Sequence, residues 1–191
     1  MKNVCFMHMT IKRLFFSLPL LLVLMLGNTG CSSDDEDALI DFKFQLCTID
    51  GNTTNVFTYG DNMVFDLLIT NNSDCDITYG PQDADIIFGE DLFYVYSKDG
   101  GGIGLPWTGM YCEYSLQRSF IIPANSVKHV YCTWNLSKEI NTSHPLCKAV
   151  DNANLSIGDY YTKFSVKYNN KIGSSQKRMI TKEFQTEFKV K

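Results

Sequence analysis

From position 40 to the C-terminus the chain alternates short apolar runs with clusters of Gly, Asn and Asp, and helix-period stretches are missing. Ile40, Phe42, Phe44 and Leu46 alternate with Asp41, Lys43 and Gln45, the period-two signature of a half-buried strand. Asp50, Gly51 and Asn52 then make a turn, and Tyr59, Gly60, Asp61 and Asn62 another. The run 63–70 (MVFDLLIT) places Phe65, Leu67 and Ile69 on one face and ends at Asn71, Asn72, Ser73 and Asp74. Further strands are expected at Ile86 to Phe88, Leu92 to Tyr96, Arg118 to Ile122 and Ser126 to Trp134. In the last of these Lys128, Val130, Cys132 and Trp134 share one face, and Val127, His129 and Tyr131 the other. Asn135 to Asn154 is the longest irregular stretch, and Tyr160 to Tyr168 with Ile180 to Val190 reads as a closing hairpin connected by Asn169 to Lys177.

The spacing leaves no room for helical crossovers, so the strands are expected to pair antiparallel. Short strands with turn signals throughout predict an all-β fold, an antiparallel β-sandwich of about 7–9 strands, although a closed barrel shares these signals. Apolar residues make up 45% of the 191 residues and aromatics 13%, enough for a core without metals or many crosslinks. Phe65, Phe93 and Trp134 fall inside expected strands and are assigned to that core.

The first thirty residues read differently. Lys2, Lys12 and Arg13 precede an uncharged apolar stretch from Leu14 to Leu26, which is interrupted by Pro19 and is too short to span a bilayer. The stretch Leu26, Gly27, Asn28, Thr29, Gly30, Cys31 resembles the bacterial lipobox, with Asn28 departing from its usual apolar residue. The resemblance implies cleavage between Gly30 and Cys31 and acylation of Cys31. The following run 31–37 (CSSDDED) looks like the export signal of Bacteroidetes-type surface lipoproteins, and four consecutive carboxylates form no packed element. The expected organisation is a signal peptide at 1–30, a lipidated Cys with acidic tether at 31–38 and one sandwich domain at 39–191. The protein is expected in the outer membrane, lipid-anchored through more than one acyl chain and surface-exposed, with a periplasm-facing anchor as the alternative.

A second resemblance covers the domain. Phe57 and Gly60 before MVFDLLIT, then Asn71 and Ser73, then FYVYSKDGGGIG, then FIIPANSVKHVYCTW, then Leu155, Gly158, Asp159 and Tyr160 resemble the intracellular proteinase inhibitor family of bacilli. That family implies an immunoglobulin-like sandwich. No inhibitory residue transfers, and the insert from Leu105 to Gln117 looks foreign to it.

Net charge is −4, and because the leader removes three cations and no acid, the mature chain is more acidic still. No basic patch points to nucleic acid. Once Cys5 leaves with the leader and Cys31 carries lipid, Cys47, Cys75, Cys112, Cys132 and Cys147 remain, an odd number in an oxidising compartment. Cys132 reads as a buried thiol, and Cys112 with Cys147 is the candidate disulfide. A zinc site competes, but no CxxC pair exists and only His129 and His144 are available. Asp83, Asp85, Glu90 and Asp91 lack calcium-loop spacing, and the Gly100 to Gly104 run lacks the Lys of a phosphate loop. No cofactor or metal is expected. Cys112 or Cys147 with His129 or His144 could be written as nucleophile and base, without supporting context.

Trp107, Tyr111 and Tyr114 lie in a Gly-, Pro- and Cys-containing insert, where aromatics suit stacking on a sugar or gripping a protein. They are the candidate binding residues; the competing reading is that they cover the open end of the sandwich. The expected function is therefore non-enzymatic binding of a protein or glycan outside the cell. A membrane-anchored proteinase inhibitor is the alternative, and an enzyme the third.

Overall fold

A computed structural model describes residues 39–80, 83–110, 119–136, 144–148, 152–170 and 178–191. All of them belong to one compact unit, Asp37–Lys191. The described strands are β1 (Ile40–Thr48), β2 (Val56–Phe57), β3 (Met63–Asn71), β4 (Ile77–Gly80), β5 (Ile86–Phe88), β6 (Val95–Ser97), β7 (Gly102–Gly104), β8 (Gly109–Met110), β9 (Phe120–Ile122), β10 (Ser126–Thr133), β11 (Leu146–Cys147), β12 (Gly158–Asn169) and β13 (Met179–Val190).

One sheet has the order β1-β3-β10. The other runs β2-β13-β12-β5-β4-β9, with β6 also on β12 and β7 on β6; β8 and β11 form a small separate ladder. The first sheet has the A-B-E order of an immunoglobulin-like sandwich, and β13-β12-β5 supplies the facing G-F-C order. The fold is thus an immunoglobulin-like β-sandwich, with more and shorter strands than the sequence separates.

Alternation along each strand builds the interior. Phe65, Leu67 and Ile69 of β3 are fully buried, and they face Phe164 and Val166 of β12 and Phe188 and Val190 of β13. Phe65 links the layers through rings at 5.9 Å from Phe93, 6.2 Å from Trp134 and 6.4 Å from Phe188. Trp134 keeps its polar end satisfied by donating from Nε1 to the Ala153 carbonyl at 2.9 Å. Cys132 is buried, its Sγ donating to the Pro106 carbonyl at 3.0 Å, and Val127, His129 and Tyr131 are exposed on the opposite face of β10, as the alternation implies. The closing hairpin is also as expected, β12 and β13 pairing from Gly158↔Val190 to Asn169↔Met179.

Two expectations are corrected. Pairing is not uniformly antiparallel: β2 runs parallel to β13, and β4 parallel to β5 with Tyr79 opposite Ile86. The second case needs no helical crossover because it joins only two residue pairs and is pinned by side chains. Asp85 Oδ2 accepts from the backbone N–H and the hydroxyl of Thr78, both at 2.9 Å, and the Asp85 N–H donates back to that hydroxyl at 3.1 Å.

The stretch Leu92 to Tyr96 is not one strand either. β5 and β6 both pair with β12, at Val166 to Tyr168 and at Tyr160 to Thr162, and residues 89–94 leave the ladder between them. The excursion closes through the Leu92 N–H on the Gly89 carbonyl (3.2 Å) and the Tyr94 N–H on the Asp91 carbonyl (2.8 Å). Phe93 takes a positive φ of 67° there. This conformation is costly for a residue with a Cβ, and it is offset by driving Leu92 and Phe93 fully into the core.

His144 meets the free edge of β10. His144, 7% exposed, sets its ring edge-on to Tyr131 at 4.9 Å and accepts the Tyr131 backbone N–H on Nε2 at 3.4 Å. Burial lowers the His144 pKa below its ordinary value of 6.5, against the smaller raising effect of the Leu146 carbonyl. The folded state therefore prefers neutral imidazole. Its contribution to stability is complete above the unfolded pKa of 6.5 and is lost as pH falls through the depressed folded value. Denaturant unfolding at a series of pH values from 7.5 down to 5 should show falling stability, with a shallower fall for His144→Gln. An equal slope in both proteins would exclude His144 as a source of the dependence.

Candidate functional site

Of the candidate binding residues, Trp107 can be placed, and it is turned inward. Its side chain is buried and its Nε1 donates to the Leu92 carbonyl at 2.7 Å, so the indole closes the core over the 89–94 excursion. A ring in this position offers no stacking surface to a ligand, which corrects the binding role expected for Trp107. Tyr111, Tyr114 and Cys112 lie outside the described residues, as do Gly30 and Cys31, the expected cleavage and lipidation positions.

Cys147 stands opposite Gly109 in the β11–β8 ladder, and its carbonyl accepts from the Thr108 N–H (2.7 Å) and hydroxyl (3.1 Å). It is disulfide-bonded, whereas Cys47, Cys75 and Cys132 form no disulfide. A bonded sulfur is unavailable as a nucleophile.

Cys47, Asp66 and His129 line one hollow of about 370 Å³ on the outer face of the three-stranded sheet. Asp66 is held by His129 Nδ1, 3.1 Å from each carboxylate oxygen, and by Gln45 Nε2 at 3.1 Å. The three do not form a nucleophile–base pair. Cys47 is on β1 opposite Val64 and His129 on β10 opposite Leu68, with β3 between. This places their backbones roughly 10 Å apart across the strands and about 13 Å along them, beyond hydrogen-bond reach. Burial also pushes the Cys47 thiol up, more than the Thr53 hydroxyl lowers it, which disfavours the thiolate. Among the described residues no three His, Cys, Asp or Glu side chains are placed to hold a metal ion.

The other outer face carries a feature the sequence reading missed. Tyr161 of β12 is paired directly with Tyr96 of β6, and the rings stack at 5.0 Å with planes 11° apart. Tyr94 continues the row, 4.7 Å from Tyr96. All three are half-buried, with their rings on the solvent side of a sheet whose inner side holds Phe93 and Val95. Desolvation, followed by the nearby Tyr94, Asp91 and Tyr161, raises the Tyr96 pKa above its ordinary value of 10.0, so Tyr96 keeps its proton at neutral pH.

Glycine makes the ladder possible. The β6–β7 hairpin turns at Gly100, with φ at 90°, and a Cβ at Gly102 would come within 2.8 Å of the Tyr94 hydroxyl. The glycine run is thus a seat for an aromatic ring. The alternation of Tyr94 and Tyr96 was visible along the chain, but their meeting with Tyr161 depends on a register between strands more than sixty positions apart, which no local pattern encodes.

Comparison with known proteins adds little to this geometry. No family model matches the chain, and no curated protein matches it. Among solved structures, an ASH/PapD-like domain of human CEP192 (PapD-like domain 7) is similar at 12% identity and a TM-score of 0.37, with 96% of each chain covered.

Proposed function

We propose that this chain is a non-enzymatic, lipid-anchored cell-surface protein whose immunoglobulin-like domain binds a protein or glycan ligand through the ladder of Tyr94, Tyr96 and Tyr161. The observation that carries the reading is the row of three half-buried rings on the outer face of the larger sheet. Aromatic side chains with two χ angles offer large contact area at little entropic cost, and their hydroxyls supply hydrogen bonds at the rim. The leader, Cys31 and the acidic run supply the anchor and the spacer in this reading. A disulfide between Cys112 and Cys147 would hold the insert beside the domain.

The test is an array of oligosaccharides and purified extracellular proteins (fibronectin, collagen, mucin) probed with the protein and with its Tyr96→Ala and Tyr161→Ala variants. The expected result is a bound member whose affinity falls about tenfold or more in each variant, the size of a buried aromatic contact. Binding that both variants retain would move recognition away from the ladder.

A further inference from the structure

The ladder does not stand alone. Strand register sets Glu187 of β13 directly beside Tyr161, and Lys189 beside Asp159. Tyr96, Tyr161 and Glu187 therefore form one row across the outer face, and Asp159 and Lys189 lie in the next row. Lys98 joins this second row at the turn after β6, where its backbone N–H donates to the Asp159 carbonyl at 3.0 Å. With strands about 4.8 Å apart and alternate residues about 6.6 Å along each, the grid covers roughly 10 by 7 Å, the footprint of a small ring. Asn55, Lys98, Asp159, Tyr161, Glu187 and Lys189 line a shallow depression of about 170 Å³ there.

The chemistry of the grid selects among ligands. Two carboxylates and two ammonium groups balance, and the pair that touches, Lys189 with Asp159 at 3.5 Å, leaves both side chains about half exposed. An anion would meet Asp159 and Glu187, and a cation would meet Lys98 and Lys189. An uncharged molecule with several hydroxyls meets no repulsion: each hydroxyl can donate to a carboxylate or accept from an ammonium. Tyr96 already covers one face of Tyr161, so the ring's other face is the one left to offer in the depression it lines.

Resting on the ladder reading above, we infer that the depression flanked by Tyr161, Asp159 and Glu187 is a subsite for a neutral sugar ring, with its C–H face on Tyr161 and its hydroxyls on Asp159, Glu187, Lys98 and Lys189.

The test titrates the purified full-length protein with neutral oligosaccharides of glucose, galactose, mannose and N-acetylglucosamine, and with sialylated and sulfated counterparts. Neutral sugars should bind and the charged forms should bind more weakly. Tyr161→Ala should weaken binding by about tenfold, Tyr161→Phe should keep it within roughly threefold, and Lys167→Ala, on the same strand outside the grid, should leave it unchanged. Tyr161→Phe guards against misfolding as the cause of any loss. A preference for the charged forms, no binding of any neutral sugar, or full binding by Tyr161→Ala would overturn the inference. If an arrayed protein rather than a sugar is lost on Tyr161→Ala, the sugar subsite falls and the ladder reading stands. If neither Tyr96→Ala nor Tyr161→Ala alters any binding, both fall.

Discussion

Replacing Asn71 with Ala is expected to lower stability by about 3 kcal/mol or more, because one buried amide serves several backbone groups at once. Asn71 is fully buried at the end of β3. Its Nδ2 lies within hydrogen-bonding reach of the carbonyls of Cys75 (2.8 Å), Pro123 (3.0 Å) and Ile122 (3.2 Å). Its Oδ1 accepts from the Ser73 hydroxyl at 2.7 Å and the Ser73 N–H at 3.0 Å. The side chain thus closes the turn that follows its own strand and ties it to the strand end at Ile122 and Pro123. Alanine would remove the shared partner and leave acceptors stranded away from water, which costs more than the hydrogen bonds alone contributed. For a chain of this size the corresponding fall in melting temperature is roughly 6–12 °C. Asn71→Asp should be no better, since it keeps the acceptor toward Ser73 but sets a carboxylate against the three carbonyls. Thermal and denaturant unfolding of both variants measure this, and a change below about 1 kcal/mol for Asn71→Ala would show that the turn is held by other contacts.

Phe65→Ala is the second large effect, at about 3–5 kcal/mol. Phe65 has no exposed surface, and its ring neighbours come from both layers and from the excursion: Trp134 after β10, Phe188 on β13, and Phe93. These aromatic neighbours are large and interlocked, so they cannot collapse into the space left behind, and the cavity term adds to the lost transfer free energy. Phe65→Leu should recover most of the loss. Ile157→Ala, at a position 72% exposed, should change stability by no more than about 0.5 kcal/mol and serves as the control. Denaturant midpoints compared at constant slope separate these outcomes; a Phe65→Ala variant as stable as the control would mean that the two sheets are not coupled through this ring.

The two residues also show how far a sequence carries. Phe65 is legible in isolation: it sits in MVFDLLIT two positions from Leu67 and four from Ile69, so the period of two assigns it to the buried face. Asn71 is legible only as a turn former after that run. Its contacts with Ile122 and Pro123 cross fifty-one and fifty-two positions, and their existence depends on where β9 comes to rest. Trp107 and Tyr96 are the reverse of each other. An aromatic residue in a Gly- and Pro-containing insert has the profile of an exposed contact residue, yet Trp107 is core because the 89–94 excursion presents the Leu92 carbonyl to its indole N–H. Tyr96, inside a run that reads as an ordinary strand, is half-exposed in a stacked pair.

The sequence by itself determined the all-β class, the inward faces of β1, β3 and β10, and the closing hairpin of β12 and β13. Each follows from local chemistry: alternating side chains choose a face, and Gly, Asn and Asp end a run. Only the tertiary structure decided that β4 lies parallel to β5, that Phe93 takes a positive φ to fill the core, that Trp107 is buried, and that Tyr94, Tyr96 and Tyr161 form one row. The physical reason is range. A strand's own pattern specifies which side of the sheet each residue occupies, whereas its neighbour and register are set by the packing of the whole core and by hydrogen bonds between segments far apart in the chain.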